Sequence, residues 1–232
     1  MKVCCLSDLH GHLPSLVPDV DLLLLAGDYC PSRSVQHWWY RDTFAPWLSK
    51  LSGRMKIIAV AGNHDEIFEE FPASVPRLDW TYLQDSGTTW RGYEIYGTPW
   101  QPRFYDWAFN ADEPELERIW RQIPSKTDIL VLHGPPRGYG DFSPYGKEHT
   151  GSPSLLKRIE EIKPKLVVAG HIHSGYGQYM IGETIFVNAS HVNEQYVPVN
   201  TPIVVDLPDR NLVMEDQLCG QDSSSSLSPP SP

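Results

Sequence analysis

The sequence predicts an α/β fold, and three observations carry that prediction. Short apolar runs, each bounded by Gly, Pro, Asp or Asn, have the length and composition of fully buried strands. Amphipathic segments with helix start and stop signals fall between them. A second group of runs, richer in Thr, Tyr and Val, has the composition of half-buried strands in a second sheet. Strands alternating with helices are the pattern of an α/β architecture.

The buried runs are residues 2–6, 22–26, 56–61, 129–132 and 166–169, and the half-buried group is 93–96, 184–187 and 203–207. A helix is expected over 35–51, interrupted near Pro46, because proline removes a hydrogen bond from a helix interior. Over 112–123, Asp112 is the expected cap. Leu116, Ile119, Trp120 and Ile123 fall on one face, and Pro124 stops the helix. Over 152–163, Ser152 caps, Pro153 suits the first helical position, and Pro164 ends the run. Leu155, Leu156, Ile159 and Ile162 form its apolar stripe. No repeat or linker interrupts this series, so one domain over residues 1–217 is expected. Residues 218–232 end in QDSSSSLSPPSP, too poor in apolar side chains to offset ordering entropy, and are expected to form a flexible Ser/Pro-rich tail.

The hydrophobic share of 41% and charged share of 21% are those of an ordinary globular chain. The formal net charge of −10 argues against a partner of long nucleic acid, whose phosphates call for a basic surface. No apolar stretch is long enough to cross a bilayer, and the N-terminal run is too short for a signal-peptide core. No membrane partner and a cytoplasmic location are therefore expected. Cys4, Cys5, Cys30 and Cys219 match no zinc or redox spacing, and reduced thiols are expected. Cys4 and Cys5 are strand neighbours and should face opposite ways.

The chemistry lies just after the buried runs. Asp8-Leu9-His10 follows the first, Gly27-Asp28 the second, and Gly62-Asn63-His64-Asp65 the third. His133-Gly134-Pro135-Pro136 follows the fourth, and Gly170-His171-Ile172-His173 the fifth. The C-terminal edge of an α/β sheet is where ligand sites are built. Singly, Asp-x-His and Gly-Asp carry little, since one is common and the other is usually a turn. Together they offer Asp8, His10, Asp28, Asn63, His133, His171 and His173, with no sulfur. Such oxygen and nitrogen donors suit Mn²⁺, Fe, Zn²⁺ or Ni²⁺. Seven groups exceed the needs of one ion, and two ions sharing a carboxylate would use them well.

The motifs DLH, GD, GNHD, HGPP and GHIH stand in the order of the calcineurin-like metallophosphoesterase superfamily, which the chain resembles from residue 2 to residue 207. A narrower likeness is to the metallophosphoesterase-domain-containing proteins and their microbial relatives. It rests on YGTPWQPRFYDWAFN, TDILVLHGPPRGYGD, GHIHSGYG and VNAS. The resemblance implies an αββα fold, a two-sheet β-sandwich flanked by helices on both faces. It implies one metal on Asp8, His10, Asp28 and His173 and a second on Asp28, Asn63, His133 and His171, with Asp28 as the bridge. Some vertebrate members of the narrower group carry glycine at the first histidine of GHxH; here His171 completes the set. The resemblance makes His64 the catalytic acid for the leaving group. The Ser/Thr protein phosphatases of the superfamily read GDxxDRG where this chain reads GDYCPSR, and the missing second Asp argues against phosphoprotein substrates.

The expected reaction is hydrolysis of small phosphodiesters such as cyclic nucleotides by a metal-bridging hydroxide, with Mn²⁺ as the favoured ion. The alternative is a phosphomonoesterase or broad-specificity phosphatase. A metal-free scaffold of the same fold would need lost ligands. Two divalent ions outweigh Asp8, Asp28 and a hydroxide by about one positive charge, so an acidic chain can still take a phosphate ester. Trp100, Phe104, Trp107 and Tyr145 fall in segments expected to loop near the site; ordinary core or rim packing is the expected role of each, with stacking on a nucleobase as the alternative. Arg103, Arg137 and His149 are expected on the solvated surface, with contact to phosphate as the alternative.

Overall fold

The computed structural model describes residues 1–210; the expected boundary at 217 and the tail at 218–232 lie outside them. The chain opens with β1 (Lys2–Leu6) and β2 (Leu22–Ala26), then α1 (Gln36–Trp39), α2 (Ala45–Ser52), β3 (Lys56–Val60) and α3 (Ile67–Glu70). Next come β4 (Thr81–Tyr82), β5 (Ser86–Trp90), β6 (Tyr93–Thr98), β7 (Gln101–Pro102), β8 (Asn110–Ala111) and α4 (Glu113–Trp120). The last third holds β9 (Ile129–Leu132), β10 (Phe142–Ser143), β11 (Glu148–His149), α5 (Pro153–Ile162) and β12 (Leu166–Ala169). It ends with β13 (Gly177–Ile181), β14 (Thr184–Asn188) and β15 (Ile203–Asp206).

Two large sheets result. One has the order β15-β1-β2-β3-β4, parallel except for β15; the other has the order β13-β14-β12-β9-β6-β5, with antiparallel edges β13 and β5. The alternation of strand side chains builds three apolar layers. Val3, Cys5, Leu22, Leu24 and Ile58 of the first sheet meet Ile95, Ile129, Val131, Val168 and Val187 of the second between the sheets. Cys4, Leu6, Leu23 and Leu25 face the other way, onto Trp39, Tyr40, Phe44 and Leu48. Leu130, Leu132, Val167 and Ala169 face outward onto Leu116 and Trp120 of α4 and Leu155 and Ile159 of α5. The two-sheet αββα expectation holds, and the opposed directions of Cys4 and Cys5 hold with it. The thiols of Cys4, Cys5 and Cys30 are free and buried. No helix among the described residues is long and apolar enough to cross a membrane.

The division of strands between sheets differs from the expected one. Two of the half-buried group, β6 and β14, join the buried runs β9 and β12 in one sheet, while β15 pairs with β1 in the other. Continuous apolarity reports burial on both faces, which central strands of either sheet share, so it does not say which sheet a strand joins. Residues 93 and 95–98 are in fact buried.

Two helix details also differ. The interruption expected near Pro46 takes the form of a π-turn at Tyr40–Phe44, with the helix running on through Pro46. Pro46 follows directly on that widened turn, the kind of local rearrangement by which a helix accommodates a proline ring and its missing N–H. Asp112 holds the cap position of α4 with an extended backbone, but its side chain does not cap; it pairs with Arg103 at 2.8 Å. Ser152 does cap α5, accepting from the Leu155 N–H at 3.1 Å. It also accepts from the Trp120 indole and donates to Glu113, so one hydroxyl ties α5 to α4.

Candidate metal centre

The ends of β1, β2, β3, β9 and β12 converge where the two sheets meet, and a parallel bridge between Ser7 and Ser190 seams the sheets beside them. Three groups of potential ligand atoms form there, the members of each within 4.8 Å of one another. They are Asp8, His10 and His173; His10, Asp28 and His64; and Asp28, His133 and His171. Asp28 Oδ2 is common ground: it lies 3.6 Å from His10 Nε2 and 3.4 Å from His133 Nε2. Asn63 Oδ1 lies 2.8 Å from His133 Nε2, which brings the carboxamide to the third group, that of Asp28, His133 and His171. All seven residues singled out as ligands, and His64, are thus in one place.

The backbone is bent to put them there. Asp8, His10, Asp28 and His171 have φ of 52°, 42°, 57° and 68°, a left-handed region costly for residues other than glycine. Hydrogen bonds hold these turns. His171 N–H donates to the Asp8 carboxylate at 3.0 Å and His64 N–H to Asp28 Oδ1 at 2.7 Å. Ser190 Oγ donates to Asp8 Oδ2 at 2.8 Å. The far nitrogens of two histidines are fixed as well: His133 Nδ1 lies 2.8 Å from the Ala26 carbonyl and His173 Nδ1 3.0 Å from the Asn193 carbonyl. Each therefore points Nε2 inward, the orientation a metal ligand needs. Space is fixed too, since a Cβ on Gly170 would fall on the Asp8 carboxylate and the Ser7 hydroxyl. Gly170→Ala should displace Asp8 and destabilise the fold by roughly 1–3 kcal/mol, with weaker metal binding, as read by urea unfolding and metal titration.

The electrostatics suit cations. Burial drives the imidazoles of His10 and His171 down to about 4 and about 3, so both are neutral with free lone pairs near pH 7. Burial also opposes charge on His133, but the Asp28 carboxylate beside it lifts its pKa to about 9. Burial likewise disfavours ionised Asp8 and Asp28. Their histidine neighbours outweigh it and hold both carboxyls well below the ordinary range. His10 Nε2 is buried with no hydrogen-bond partner, an orphan that a bound ion would satisfy. The donor set and that orphan fit divalent metal.

Three residues escaped the motif reading. Asp65, the last letter of GNHD, is fully buried and accepts from the N–H groups of Asp28, Tyr29 and Gly62 at 2.8–3.0 Å, and from the Tyr40 hydroxyl at 2.5 Å. Its place in the motif was the available signal. Ser190, in VNAS, orients Asp8. Tyr196 carries no motif, yet its ring lies edge-on against His10 at 4.7 Å and His173 at 5.4 Å. Of the four aromatic candidates, Trp107 packs on His64 at 3.9 Å, and Phe104 and Tyr145 line a cavity with His171 and His173. Trp100 is instead half-buried, bonded to Asp85 at 2.8 Å and packed on the outer apolar layers. Arg103 also lines that cavity, while Arg137 donates to the His149 carbonyl and His149 pairs with Asp141 at 2.7 Å.

A two-sheet α/β fold with Asp, His and Asn gathered where strand ends of both sheets meet defines a class of protein built to hold divalent metal. The chain belongs to the calcineurin-like phosphoesterase family, whose pattern residues 1–175 match. It is 39% identical to human metallophosphoesterase domain-containing protein 1, over 89% of this chain and 71% of that protein. It is 32% identical to UPF0046 protein K07C11.7 of Caenorhabditis elegans, over 91% of this chain and 77% of the other. Among solved structures, TT1561 of Thermus thermophilus shares the fold with a TM-score of 0.56 at 18% identity, covering 88% of this chain and 98% of that one. Family and candidate ligands together support metal-dependent phosphoester hydrolysis.

Proposed function

We propose that the chain is a two-metal phosphodiesterase for small diesters such as cyclic nucleotides. The observation that carries this reading is Asp28 Oδ2, set between the two ligand groups at 3.6 Å from His10 Nε2 and 3.4 Å from His133 Nε2. Asp8, His10, Asp28 and His173 would hold one divalent ion, and Asp28, Asn63, His133 and His171 the other. Bound ions would activate water near neutral pH and offset charge on the phosphoryl oxygens. Mn²⁺ is the first ion to test, with Fe, Zn²⁺ and Ni²⁺ suiting the same donors. The acidic chain favours a small ester over long nucleic acid.

The protein's own groups do the rest. Asp28 Oδ1 takes the His64 N–H and so sets the His64 backbone against the bridge. The Trp107 ring packs against the His64 ring and limits its swing. His64, partly exposed and lining a cavity beside His10, would protonate the departing alkoxide. His64→Gln should slow hydrolysis of an alkyl ester by about 10²–10⁴-fold, yet barely slow a p-nitrophenyl ester, whose leaving group needs no proton. Equal slowing of both esters would remove the acid role.

The reading is tested with mono- and diesters, including 2′,3′- and 3′,5′-cyclic nucleotides, assayed with each ion in turn. Diester turnover exceeding monoester turnover supports it; the reverse order supports a phosphomonoesterase. Binding should also stabilise the fold. Mn²⁺ at a hundred times its Kd should add about 2.7 kcal/mol, visible as a rise in Tm that a chelator reverses. A chelator-stripped protein with unchanged Tm and no hydrolysis after Mn²⁺ addition would point to a scaffold.

A further inference from the structure

Two cavities border the candidate centre, each lined by a different set of its histidines. One, of about 720 Å³, is lined by His10, His64, Glu66 and Trp107 among others. The second, of about 670 Å³, is lined by His171 and His173 together with Phe104 and Tyr145. Tyr105 and Tyr196 line both and form the wall between them. Both tyrosines stand on left-handed backbone, at φ 51° and 58°, a cost tolerated chiefly where function holds a side chain in place. The turn under Tyr196 is built to stay: Asn193 Oδ1 accepts from the N–H groups of Gln195 and Val197, both at 3.0 Å, and the Asn193 carbonyl accepts from Tyr196 N–H at 2.8 Å. The same carbonyl lies 3.0 Å from His173 Nδ1, so the wall and a candidate ligand share one anchor.

An acyclic phosphodiester has two organic arms, one that leaves and one that stays on phosphorus; in a cyclic nucleotide one sugar carries both ester oxygens and stays whole on phosphorus after the ring opens. The reading above puts the acid, His64, in the first cavity, which makes that cavity the leaving-group side. The second cavity then faces the retained arm. Its rim is aromatic and unusually open: Phe104 is 55% exposed, Tyr145 76% and Tyr196 48%. Large aromatic rings left in water around one cavity offer flat faces on which a planar group can stack. Tyr145 is held by its hydroxyl to the Glu194 carbonyl at 3.2 Å, and Phe104 packs on Tyr105 at 4.5 Å. These two contacts aim the rings across the cavity mouth, and such placement lowers the entropy cost of binding.

We propose that Phe104, Tyr145 and Tyr196 form a subsite for a planar aromatic substituent on the retained arm of the diester. This rests on the phosphodiesterase reading and adds specificity to it. Stacking on such a rim has the strength to favour a ring over a methyl group by about tenfold.

The test uses two diesters with one leaving group: phenyl p-nitrophenyl phosphate and methyl p-nitrophenyl phosphate, assayed on the Mn²⁺-loaded full chain by p-nitrophenolate release. The ratio of their kcat/KM values is the readout, because it cancels effects on the shared leaving group. The phenyl ester should be favoured about tenfold beyond the ratio found for hydroxide alone, mainly through KM. Phe104→Ala and Tyr145→Ala should each pull the ratio toward the hydroxide value, while Trp107→Ala, on the other side of the wall, should leave the ratio in place. A wild-type ratio equal to that of hydroxide, or one indifferent to Phe104→Ala and Tyr145→Ala, overturns the subsite. Turnover of the methyl ester in that case keeps the phosphodiesterase reading; turnover of neither ester removes both.

Discussion

Asp28→Asn is expected to lower kcat/KM for a phosphodiester by more than about 10³-fold, equivalent to roughly 4 kcal/mol of lost transition-state stabilisation. The reason is local and two-sided. Asp28 Oδ2 faces His10 and His133 at once, and Asp28 Oδ1 accepts the His64 N–H at 2.7 Å. An amide has one oxygen for these two duties. If its NH₂ takes the shared position, it offers a metal no lone pair. If it takes the other, it confronts the His64 N–H donor to donor. Either way one function fails, and the bridging charge is gone. Metal content should fall with activity, while the metal-free fold persists, since the substitution changes no packing volume. Activity within tenfold of wild type in a correctly folded Asp28→Asn variant would sink the bridging assignment.

Asp65→Ala should be nearly as damaging, by a different route. Its carboxylate collects the N–H groups of Gly62, Asp28 and Tyr29 and the Tyr40 hydroxyl, all buried. Removing it strands those donors without water, at a total cost of about 4 kcal/mol by urea unfolding. It also frees the turn that aims Asp28, and loss of such support lowers metal affinity by about 10–100-fold. Asp65→Asn restores one acceptor atom and should fall between. Loss of less than about 1 kcal/mol in Asp65→Ala would show that the turn holds itself.

The same carboxyl predicts a pH dependence. Burial and the charge on nearby Asp28 push it up to about 7, against the pull of Tyr40 and the backbone donors. An acid whose pKa rises on folding favours the fold below its ordinary value of 3.8 and loses that contribution as pH climbs through about 7. Metal-free protein should therefore lose stability from this group across that window. Asp65→Asn should flatten the slope, measured by chemical unfolding at a series of pH values in chelator.

Much of this was legible because the signals were local. Short apolar runs ending in Gly, Asp or His announced both the strands and the edge on which ligands would stand, and Ser152-Pro153 with Pro164 bounded α5 closely. What escaped depends on pairing at a distance. No local pattern says that residues 203–206 return to lie beside residues 2–5, or that β6 and β14 flank β9 and β12. Tyr196 was invisible for the same reason: it reaches His10 across 186 positions of sequence, through a turn whose only local clue is Asn193. Asp112 misled because a good capping residue also makes a good partner for Arg103, and in this fold the ion pair takes the side chain.

The left-handed backbone at Asp8, His10, Asp28 and His171 bears on how such a site would erode over generations. Each of these residues occupies a conformation that glycine adopts freely, at a cost of about 1 kcal/mol to the side chain that stands there. A mutation from His171 to glycine relieves that strain while emptying one ligand position. Selection for stability alone would thus accept the very change that selection for chemistry must reject. At His171, then, the demands of the backbone and those of a metal ligand pull toward different residues.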